Sequence, residues 1–440
     1  MARRFWVETL GCPKNHVDSD KLTGTLLADG LVPADAPEDA DLVVVNTCAF
    51  VEEARQESID TILGLSDRLT GRDGGPAGER AELVVTGCLA ERYGDELAEA
   101  LPEADAVVGF GVPVHLGPTR SGRAAKAAKA DGSGSADGLP TFDLLNLPRP
   151  AAAVPWAYVK VAEGCDRACG FCAIPSFRGP QRSRSHADLM TEVDALAAGG
   201  VREIVLVAQD LASYGRDQGQ GERGIVPLVE AVAAAVDRVR LLYLYPSDLT
   251  DALVGAICDS GVPYFDLSLQ HVSRPLLRRM RRWGDGERFL QRIEAIRARV
   301  PEATFRSNFI VGYPGETEAD HDQLLAFVER SDLDWVGFFP YSLEQGTYAA
   351  DLDDQVPGEL AGERLAELRE LQDGITAARR DALIGSTVEV LVDRPGIGRS
   401  HREAPEIDGV VNIPRDLAVG SLAKVRVTGA AGPDLDAVPG

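Results

Sequence analysis

The sequence predicts an α/β protein in three parts: an N-terminal domain with a parallel sheet, a partial barrel of six βα units, and a small C-terminal β-barrel. Three observations support this fold class. Strand-like and helical runs alternate through residues 1–116 and again through 151–350, which is the pattern of parallel sheets. Residues 385–440 change to short strands punctuated by glycine and proline. The 440 residues also exceed what one ordinary hydrophobic core requires.

In the N-terminal domain, each of three β-rich runs ends at a cysteine. The runs span 5–12, 42–48 and 83–88, and they place Cys12, Cys48 and Cys88 at or just past strand ends. The carboxyl ends of parallel strands line up along one edge of a sheet, where ligands bind. We therefore expect the three thiols to meet in space, although three unrelated buried cysteines would also fit this pattern.

A segment rich in Gly, Ala, Ser and Lys separates this domain from the next. Residues 117–150 are predicted to be a flexible linker, disordered in its middle. Strands are then expected at 157–162, 203–208, 239–245, 264–269, 304–311 and 334–341. Helices are expected at 187–198, 225–236, 250–259, 287–299, 318–330 and 359–382. Six successive units predict an incomplete barrel within 151–382, with its site at the carboxyl ends of the strands. Further strands at 387–392, 409–413 and 423–428 predict the small β-barrel.

Composition argues against membrane-spanning and secreted proteins. The longest apolar runs are broken by Lys, Glu or Gly within about a dozen residues, and the N-terminus lacks an apolar signal region. We therefore expect a cytoplasmic protein with no membrane partner, in which cysteines do not form a disulfide framework. Six of the seven cysteines form two groups of three, and Cys258 is expected to be a small buried hydrophobic residue.

The second group of cysteines directly follows the first predicted barrel strand. Cys165, Cys169 and Cys172 have the spacing C-x3-C-x2-C, with Phe171 just before the last cysteine. Thiolates are soft ligands that suit iron–sulfur clusters or zinc. Structural zinc normally requires a fourth ligand nearby, and His186, beyond a Pro- and Arg-rich turn, is the nearest. Three cysteines on a four-iron cluster would leave one iron open.

This motif resembles the signature of the radical S-adenosylmethionine (SAM) superfamily. The resemblance implies that the open iron chelates SAM and that SAM cleavage yields a 5′-deoxyadenosyl radical. It also implies that Phe171 packs beside the adenine. Residues 199–203 resemble the motif that receives the methionine amino group of SAM, which would involve Gly199, Gly200 and Glu203. A plain helix C-cap explains the two glycines equally well.

The order of the three parts resembles the methylthiotransferase family. The resemblance implies two [4Fe-4S] clusters, of which Cys12, Cys48 and Cys88 ligate an auxiliary one that carries the inserted sulfur. It also implies a TRAM-like terminal domain and the use of two SAM molecules, one as methyl donor and one as radical source. The sequence itself assigns no catalytic side chain.

Several local sequences resemble the branch of this family that modifies the β-carbon of an aspartate in small-subunit ribosomal protein twelve, and the resemblance implies that substrate. They lie at 45–54, 57–60, 172–179, 208–215 and 404–409. Residues 385–440 carry six Lys and Arg against eight Asp and Glu, whereas an RNA-binding barrel should be basic. The alternatives are a tRNA adenosine methylthiotransferase and a non-catalytic iron–sulfur redox protein. The expected partners are the ribosomal protein, free or on the ribosome, and a low-potential electron donor; we expect a monomer.

A basic segment around Trp283 remains without a role. It contains Arg274, Arg278, Arg279, Arg281, Arg282, Arg288 and Arg292. These arginines could contact RNA or another acidic surface, but a solvated and locally paired helix face is the simpler interpretation.

Overall fold

The computed structural model describes residues 2–70, 81–114, 143–219 and 224–440. The chain forms two compact units. The first comprises Met1–Pro150, Glu163–Cys165 and Ala173–Pro180, and the second comprises Ala151–Ala162, Asp166–Cys172 and Gln181–Gly440. None of the helices in these described ranges is both long enough and apolar enough to cross a membrane.

The first unit contains a parallel five-stranded sheet. Its elements are β1 (Arg4–Thr9), α1 (Pro13–Ala28), β2 (Val32–Pro33), β3 (Leu42–Thr47), α2 (Glu52–Thr70), β4 (Glu82–Gly87), α3 (Cys88–Ala100) and β5 (Ala106–Val107). The strand order is β2-β1-β3-β4-β5. Leu42, Val43, Val44 and Val45 are all fully buried, because β3 lies in the middle of the sheet and is covered on both faces. The alternation of strands and helices therefore identified the domain, although it missed the two-residue strands at the edges.

The last residues of the predicted linker are packed against the first unit. Leu144 lies in an apolar cluster with Leu22 and Leu26 of α1, and Arg149 forms an ion pair with Asp20. A composition rich in Gly, Ala, Ser and Lys had suggested a linker as far as residue 150, but Leu144 and its neighbours have apolar surface to bury. Residues 143–150 are therefore part of the first unit rather than a free linker, whereas the predicted break after residue 150 coincides with the division between the two units. Residues 117–142 of the predicted linker lie outside the described ranges.

The second unit begins with six βα units. Its strands are β6 (Trp156–Lys160), β7 (Ala162–Glu163, only partly in this unit), β8 (Arg182–Ser183), β9 (Glu203–Val207), β10 (Arg238–Leu241), β11 (Tyr264–Gln270), β12 (Thr304–Val311) and β13 (Trp335–Pro340). Its helices are α5 (His186–Ala198), α6 (Ile225–Ala235), α7 (Asp251–Asp259), α8 (Arg274–Arg279), α9 (Gly286–Arg299), α10 (Glu318–Ser331) and α11 (Gly358–Asp381); the intervening α4 (Ile174–Arg178) belongs to the first unit.

The six main strands form an open parallel arc. Ladders join β6, β9 and β10 on one side and β11, β12 and β13 on the other. A parallel bridge between Leu244 and Leu267 connects the two groups. Within the described residues no ladder pairs β13 with β6, so the barrel is incomplete, as the sequence predicts.

Side-chain caps begin several of the barrel helices. Ser185 accepts a hydrogen bond from the Asp188 backbone N–H at the start of α5, and Thr250 does the same for Leu253 at the start of α7. Thr317 and Asp320 form a reciprocal capping box at the start of α10. These caps satisfy backbone donors that have no partner within the helix, and they explain why the predicted helix starts lie within one residue of the observed ones.

The second unit ends in a closed five-stranded barrel. Its strands are β14 (Thr387–Arg394), β15 (Ile397–Arg399), β16 (Val411–Asn412), β17 (Leu422–Ala431) and β18 (Asp434–Pro439), in the order β14-β15-β16-β18-β17. Val390, Val392, Val411 and Val425 are fully buried in its interior. These apolar residues come from facing strands, and together they form the separate hydrophobic core of the small barrel.

A buried charge network joins this small barrel to the amino-terminal ends of the parallel strands. Glu203, at the start of β9, accepts a hydrogen bond at 2.8 Å from Arg240 and one at 3.1 Å from Arg399 of the small barrel. Asp393 holds the other side of the Arg399 guanidinium. Burial disfavours the Glu203 charge, but Arg399, Arg240 and Arg238 outweigh it and lower the pKa of Glu203 to about 2.

We expect Glu203→Gln to lower the free energy of unfolding by about 3 kcal/mol, because it leaves buried arginines without their shared carboxylate. Urea unfolding followed by circular dichroism measures this loss. Glu389→Gln is the matched control, since Glu389 is half exposed and pairs with Arg238 at 3.5 Å; it should cost less than about 1 kcal/mol. An equal effect of the two variants would contradict the network's role.

The same network predicts an acid-labile interface. The pKa of Glu203 in the folded state, about 2, is below its ordinary value of 4.5. Ionised Glu203 therefore stabilises the fold fully above about pH 4.5, and this contribution is lost as the pH falls towards 2. The gap in stability between wild type and Glu203→Gln should accordingly shrink across that range.

Candidate functional site

The structure places the first three cysteines at the same edge of the N-terminal sheet. Cys12 is the N-cap residue of α1, Cys48 directly follows β3, and Cys88 begins α3 directly after β4. A Cβ atom built on Gly11 would lie 2.7 Å from the Cβ of Cys48 and 2.9 Å from its Sγ. The Cys12 loop therefore passes against the Cys48 side chain.

Glycines with positive φ permit this close approach. Gly11 has φ of +92° and Gly87 has φ of +93°. A Cβ on Gly87 would lie 2.4 Å from the Asn46 side chain and 2.6 Å from the backbone of Thr47. A larger residue would meet both a steric clash and a backbone conformation that side chains rarely adopt.

The three thiols affect one another electrostatically. Burial, together with negative charge on Cys12 and Cys88, raises the pKa of Cys48 to about 12. Burial also raises the pKa of Cys88, while Arg178 opposes this effect. Burial acts on Cys12 too, but Lys14 and the Asn15 backbone N–H at the start of α1 outweigh it and lower its pKa. Burial therefore disfavours the thiolate forms of Cys48 and Cys88 in particular.

These properties fit an iron–sulfur cluster. Soft thiolates suit such clusters, and metal binding replaces the thiol protons. In the part of the chain that the structure describes, no three His, Cys, Asp or Glu side chains converge as the ligands of one metal ion would. Cluster ligands differ in this respect, because each cysteine binds a different iron of the cube.

Asn15 organises this edge and was missed by the sequence analysis. Its side-chain NH₂ donates to the carbonyl oxygens of Leu10 at 2.9 Å and Thr47 at 3.0 Å, which ties together the loops that carry Cys12 and Cys48. Its Oδ1 lies 3.7 Å from the Sγ of Cys88. The position of Asn15, in the first turn of the helix that Cys12 caps, is the signal that could have identified it.

The second group of cysteines lies on the loop that follows β6. Cys165 belongs to the first unit, where its backbone N–H donates to Gly179 at 3.1 Å. Cys169 and Cys172 belong to the second unit, where the Cys172 N–H donates to the Cys169 carbonyl at 3.1 Å. Between them, Gly170 donates to Met280 at 2.8 Å, so the loop is fixed at the carboxyl ends of the barrel strands.

Arg282 contacts this loop directly. Its Nη1 lies 3.3 Å from the Sγ of Cys169, and its guanidinium lies 4.2 Å from the ring centroid of Tyr245. Arg167 lies 3.8 Å from the same ring and forms ion pairs with Asp210 and Asp248. These charged and aromatic residues surround the mouth of the barrel near Cys169. The basic segment had been noted in the sequence, but its contact with a cysteine was not predicted.

The other arginines of the basic segment mostly have local partners. Arg279 donates to the Asp353 carbonyl, Arg288 lies 3.6 Å from Asp285, and Arg292 pairs with Asp251. Arg281 lies over the ring of Tyr348 at 3.8 Å. The interpretation as a locally paired surface therefore fits better than a free RNA-binding patch. Trp283 is 43% exposed.

Gly199, Gly200 and Glu203, which were predicted to receive the methionine amino group of SAM, lie at the amino-terminal ends of the barrel strands, opposite the cysteine loop. Gly199 is the C-cap of α5, and Gly200 has φ of +97°, as expected at a helix end. Glu203 pairs with Trp156 at the start of β6, whereas the cysteine loop follows the far end of that strand. The structure therefore corrects this assignment: the helix C-cap explains the glycines, and the charge network explains Glu203.

Phe171 and Cys258 are the last two residues for which the sequence analysis predicted an environment. Phe171 is half-buried and packs against the barrel core; its proposed contact with adenine stays a prediction. Cys258 also packs against this core but is only partly buried.

The fold and these sites define a radical SAM protein with an additional thiol site, and comparisons with known proteins agree. The Radical SAM superfamily model matches residues 159–328, the TRAM domain model matches 384–439, and an uncharacterised family, UPF0004, matches 4–109. Among solved structures, the radical SAM methyltransferase TsrM from Kitasatospora setae aligns with a TM-score of 0.50 and 15% identity, covering 77% of this chain and 75% of that one. This similarity concerns the fold alone.

Full-length relatives identify the family. The protein is 41% identical to the ribosomal protein uS12 methylthiotransferase RimO of Kineococcus radiotolerans, over 100% of this chain and 97% of the relative. It is 43% identical to the RimO of Moorella thermoacetica, over 97% and 96% of the two chains. The RimO of Streptomyces coelicolor is 40% identical, over 100% and 97%. The chain belongs to the RimO family of radical SAM methylthiotransferases.

We expect Gly87→Ala to reduce the iron bound by the first cysteine group and to destabilise the first unit by at least about 2 kcal/mol. The added Cβ would clash with Asn46 and Thr47. Iron analysis after anaerobic reconstitution and thermal unfolding measure both effects. Gly30→Ala is the matched control, because Gly30 has φ of +83° but nothing within 4 Å of its added Cβ. If Gly30→Ala lost as much iron, the effect of Gly87→Ala could not be assigned to its clash with Asn46 and Thr47.

Proposed function

We propose that this protein attaches a methylthio group to the β-carbon of an aspartate in ribosomal protein uS12. The observation that carries the proposal is the identity of 40–43% over nearly the whole chain to relatives named uS12 methylthiotransferases. Both groups of cysteines occur in this chain, the first at strand ends of the N-terminal sheet and the second on the loop after the first barrel strand, which supports the proposal.

Each cysteine group would hold one [4Fe-4S] cluster. Cys12, Cys48 and Cys88 would ligate the auxiliary cluster, and Cys165, Cys169 and Cys172 would ligate the cluster that binds SAM. Three protein thiolates leave one iron of each cube without a protein ligand. The bound cofactors supply methyl transfer to sulfur and the 5′-deoxyadenosyl radical that removes hydrogen from the substrate carbon.

The residues of the barrel mouth would bind and orient SAM. Asp210 Oδ1 and Tyr341 Oη are buried and have no hydrogen-bond partner among the described residues. Both follow a barrel strand at its carboxyl end, on the side of the cysteine loop. Buried polar groups without partners cost free energy, so a polar ligand at these positions would be stabilising. Phe171 would pack beside the adenine.

The exposed charge of the small C-terminal barrel favours a protein substrate over RNA binding. Several charged residues counted from the sequence have buried side chains: Arg399 and Asp408 pair with residues of the parallel strands, and Glu403 pairs with Arg380 of α11. The exposed charged residues of this barrel are Arg394, Arg415, Lys424, Arg426, Glu389, Glu406, Asp416 and Asp436. Because these charges balance, the surface is close to neutral rather than acidic, and it lacks the basic character of RNA-binding domains.

The proposed reaction implies further partners. Reduction of the SAM-binding cluster requires a low-potential electron donor, and uS12 would be met free or within the ribosome. The protein would act as a monomer in the cytoplasm, where ribosomes are.

Deletion of the gene should remove one methylthio increment from the mass of uS12. Intact-protein and peptide mass spectrometry of purified ribosomes measure the change and locate it on an aspartate. Complementation with the wild-type gene should restore the increment. An unchanged uS12 accompanied by loss of a methylthioadenosine nucleoside would instead identify the tRNA-modifying activity.

Single cysteine variants should separate the two clusters. Cys169→Ala should abolish release of 5′-deoxyadenosine after anaerobic reduction, because it removes a ligand of the SAM-binding cluster. Cys48→Ala should retain measurable deoxyadenosine release but yield no methylthiolated uS12 peptide. Chromatography and mass spectrometry measure these products. Cys258→Ala, outside both groups, is the control and should retain both activities. Full product from Cys48→Ala would refute the auxiliary site.

A further inference from the structure

Arg178, a residue of the first unit, contacts one of the cysteines assigned to the auxiliary cluster. The proposed function gives this arginine no role. Arg178 ends the short helix α4 (Ile174–Arg178), and its side chain is 3% exposed. The helix follows Cys172 closely in sequence, yet the segment Ala173–Pro180 belongs to the first unit. There, Phe177 packs against the core around Cys88.

The guanidinium of Arg178 makes four polar contacts. Nη1 donates to Asp18 and to Glu163, each at 3.0 Å. Nη2 donates to Asn15 Oδ1 at 2.9 Å and to the Sγ of Cys88 at 3.0 Å. The guanidinium also lies 4.0 Å from the ring centroid of Phe110. Both ends of the planar fork are used, which fixes the orientation of the charge.

A structural ion pair alone does not account for this arrangement. Asp18 and Glu163 already supply two carboxylates for one cation, so its charge is more than compensated. One terminal nitrogen is nevertheless directed at a sulfur and at Asn15, the residue that ties together the loops of Cys12 and Cys48. The cation is therefore placed on the cysteine edge of the sheet.

We propose that Arg178 is a positioning residue that raises the reduction potential of the auxiliary cluster by donating a charged hydrogen bond to its ligand Cys88. This inference rests on the proposed function, which assigns a cluster to Cys12, Cys48 and Cys88. Taking up one electron adds one negative charge to a buried cluster. A nearby cation and a hydrogen bond to a ligand sulfur stabilise that charge and raise the potential. Asp18, 3.0 Å from the same guanidinium, opposes this effect.

The arrangement would couple the two sites along the chain. The loop that supplies Cys172 to one cluster continues within six residues to the arginine that tunes the other. The potential of the auxiliary cluster determines whether it competes with the SAM-binding cluster for electrons from a common donor. Arg178 would thus influence which cluster is reduced first.

The test is a redox titration of the anaerobically reconstituted full-length protein, followed by electron paramagnetic resonance. The auxiliary signal is identified by its loss in Cys48→Ala. We expect Arg178→Gln to shift the midpoint of this signal to lower potential, because the cation is lost. Asp18→Asn should shift it to higher potential, and Arg178→Lys should largely retain the wild-type midpoint. The signal of the SAM-binding cluster should move less than the auxiliary signal in each variant.

Arg68→Gln is the matched control for loss of one positive charge. Arg68 lies in the same unit but is 54% exposed and pairs with Glu38, so it should leave the midpoint unchanged. An unchanged auxiliary midpoint in Arg178→Gln or in Asp18→Asn would overturn the inference. If Arg178→Gln fails to retain the cluster, Asp18→Asn decides alone, because it keeps the arginine.

Iron analysis separates failure of this inference from failure of the proposed function. Wild-type protein should bind about eight irons, and Cys48→Ala about four. About four irons in both would mean that no auxiliary cluster exists, which refutes the proposed function. Two clusters with unshifted midpoints would refute only the role of Arg178.

Discussion

The convergence of three cysteines at one edge of the sheet, where burial raises the pKa of Cys48 and Cys88, is the constraint on which the first unit depends. The strand ends bring Cys12, Cys48 and Cys88 together, and glycines with positive φ allow their loops to touch. Burial and neighbouring negative charge then raise the pKa of Cys48 to about 12. Such an edge is stabilised when a cationic group takes the place of the protons, so metal loading and stability of this unit should be linked. The sheet places the three cysteines, and a bound cluster would supply positive charge to compensate their thiolates.

In the second unit, the two ends of the parallel strands differ in how far their buried polar groups are paired. At the amino ends, Glu203 and Asp393 compensate the charges of Arg240 and Arg399, in a network that includes residues of the small barrel. At the carboxyl ends, polar atoms of Asp210 and Tyr341 remain without partners among the described residues. A satisfied end favours rigid closure, whereas an unsatisfied end favours binding a polar ligand. The direction of the parallel strands therefore separates the structural end of the barrel from its reactive end.

Local patterns predicted the main strands and helices but missed short elements such as α8 and β15 as well as β18. The interpretation of Glu203 shows where such patterns fail. The 3.6-residue and two-residue periodicities and the caps are properties of neighbouring residues, so the strands and helices of the barrel were placed within a few residues. The cysteines were located because strand direction is also readable from sequence. Glu203 was misassigned because a glycine-rich helix end looks the same whether it faces a ligand or not. Its true partner, Arg399, is 196 residues away. Asn15, Arg178 and Arg282 were missed for the same reason: their sulfur contacts exist only after folding.

In the small C-terminal barrel, the number of charged residues in the sequence does not give the charge of its surface. The sequence carries two more acidic than basic residues between 385 and 440, and this excess suggested an attraction to a basic ribosomal protein. In the fold, Arg399 and Asp408 pair with residues of the parallel strands and Glu403 pairs with Arg380 of α11, and the charges that reach solvent balance. Long-range attraction depends on exposed charge, because buried pairs cancel at close range. A near-neutral surface still disfavours a phosphate backbone, but it offers no general attraction to basic proteins. Long-range attraction between this barrel and a basic ribosomal protein is therefore not supported by the charge that the barrel exposes.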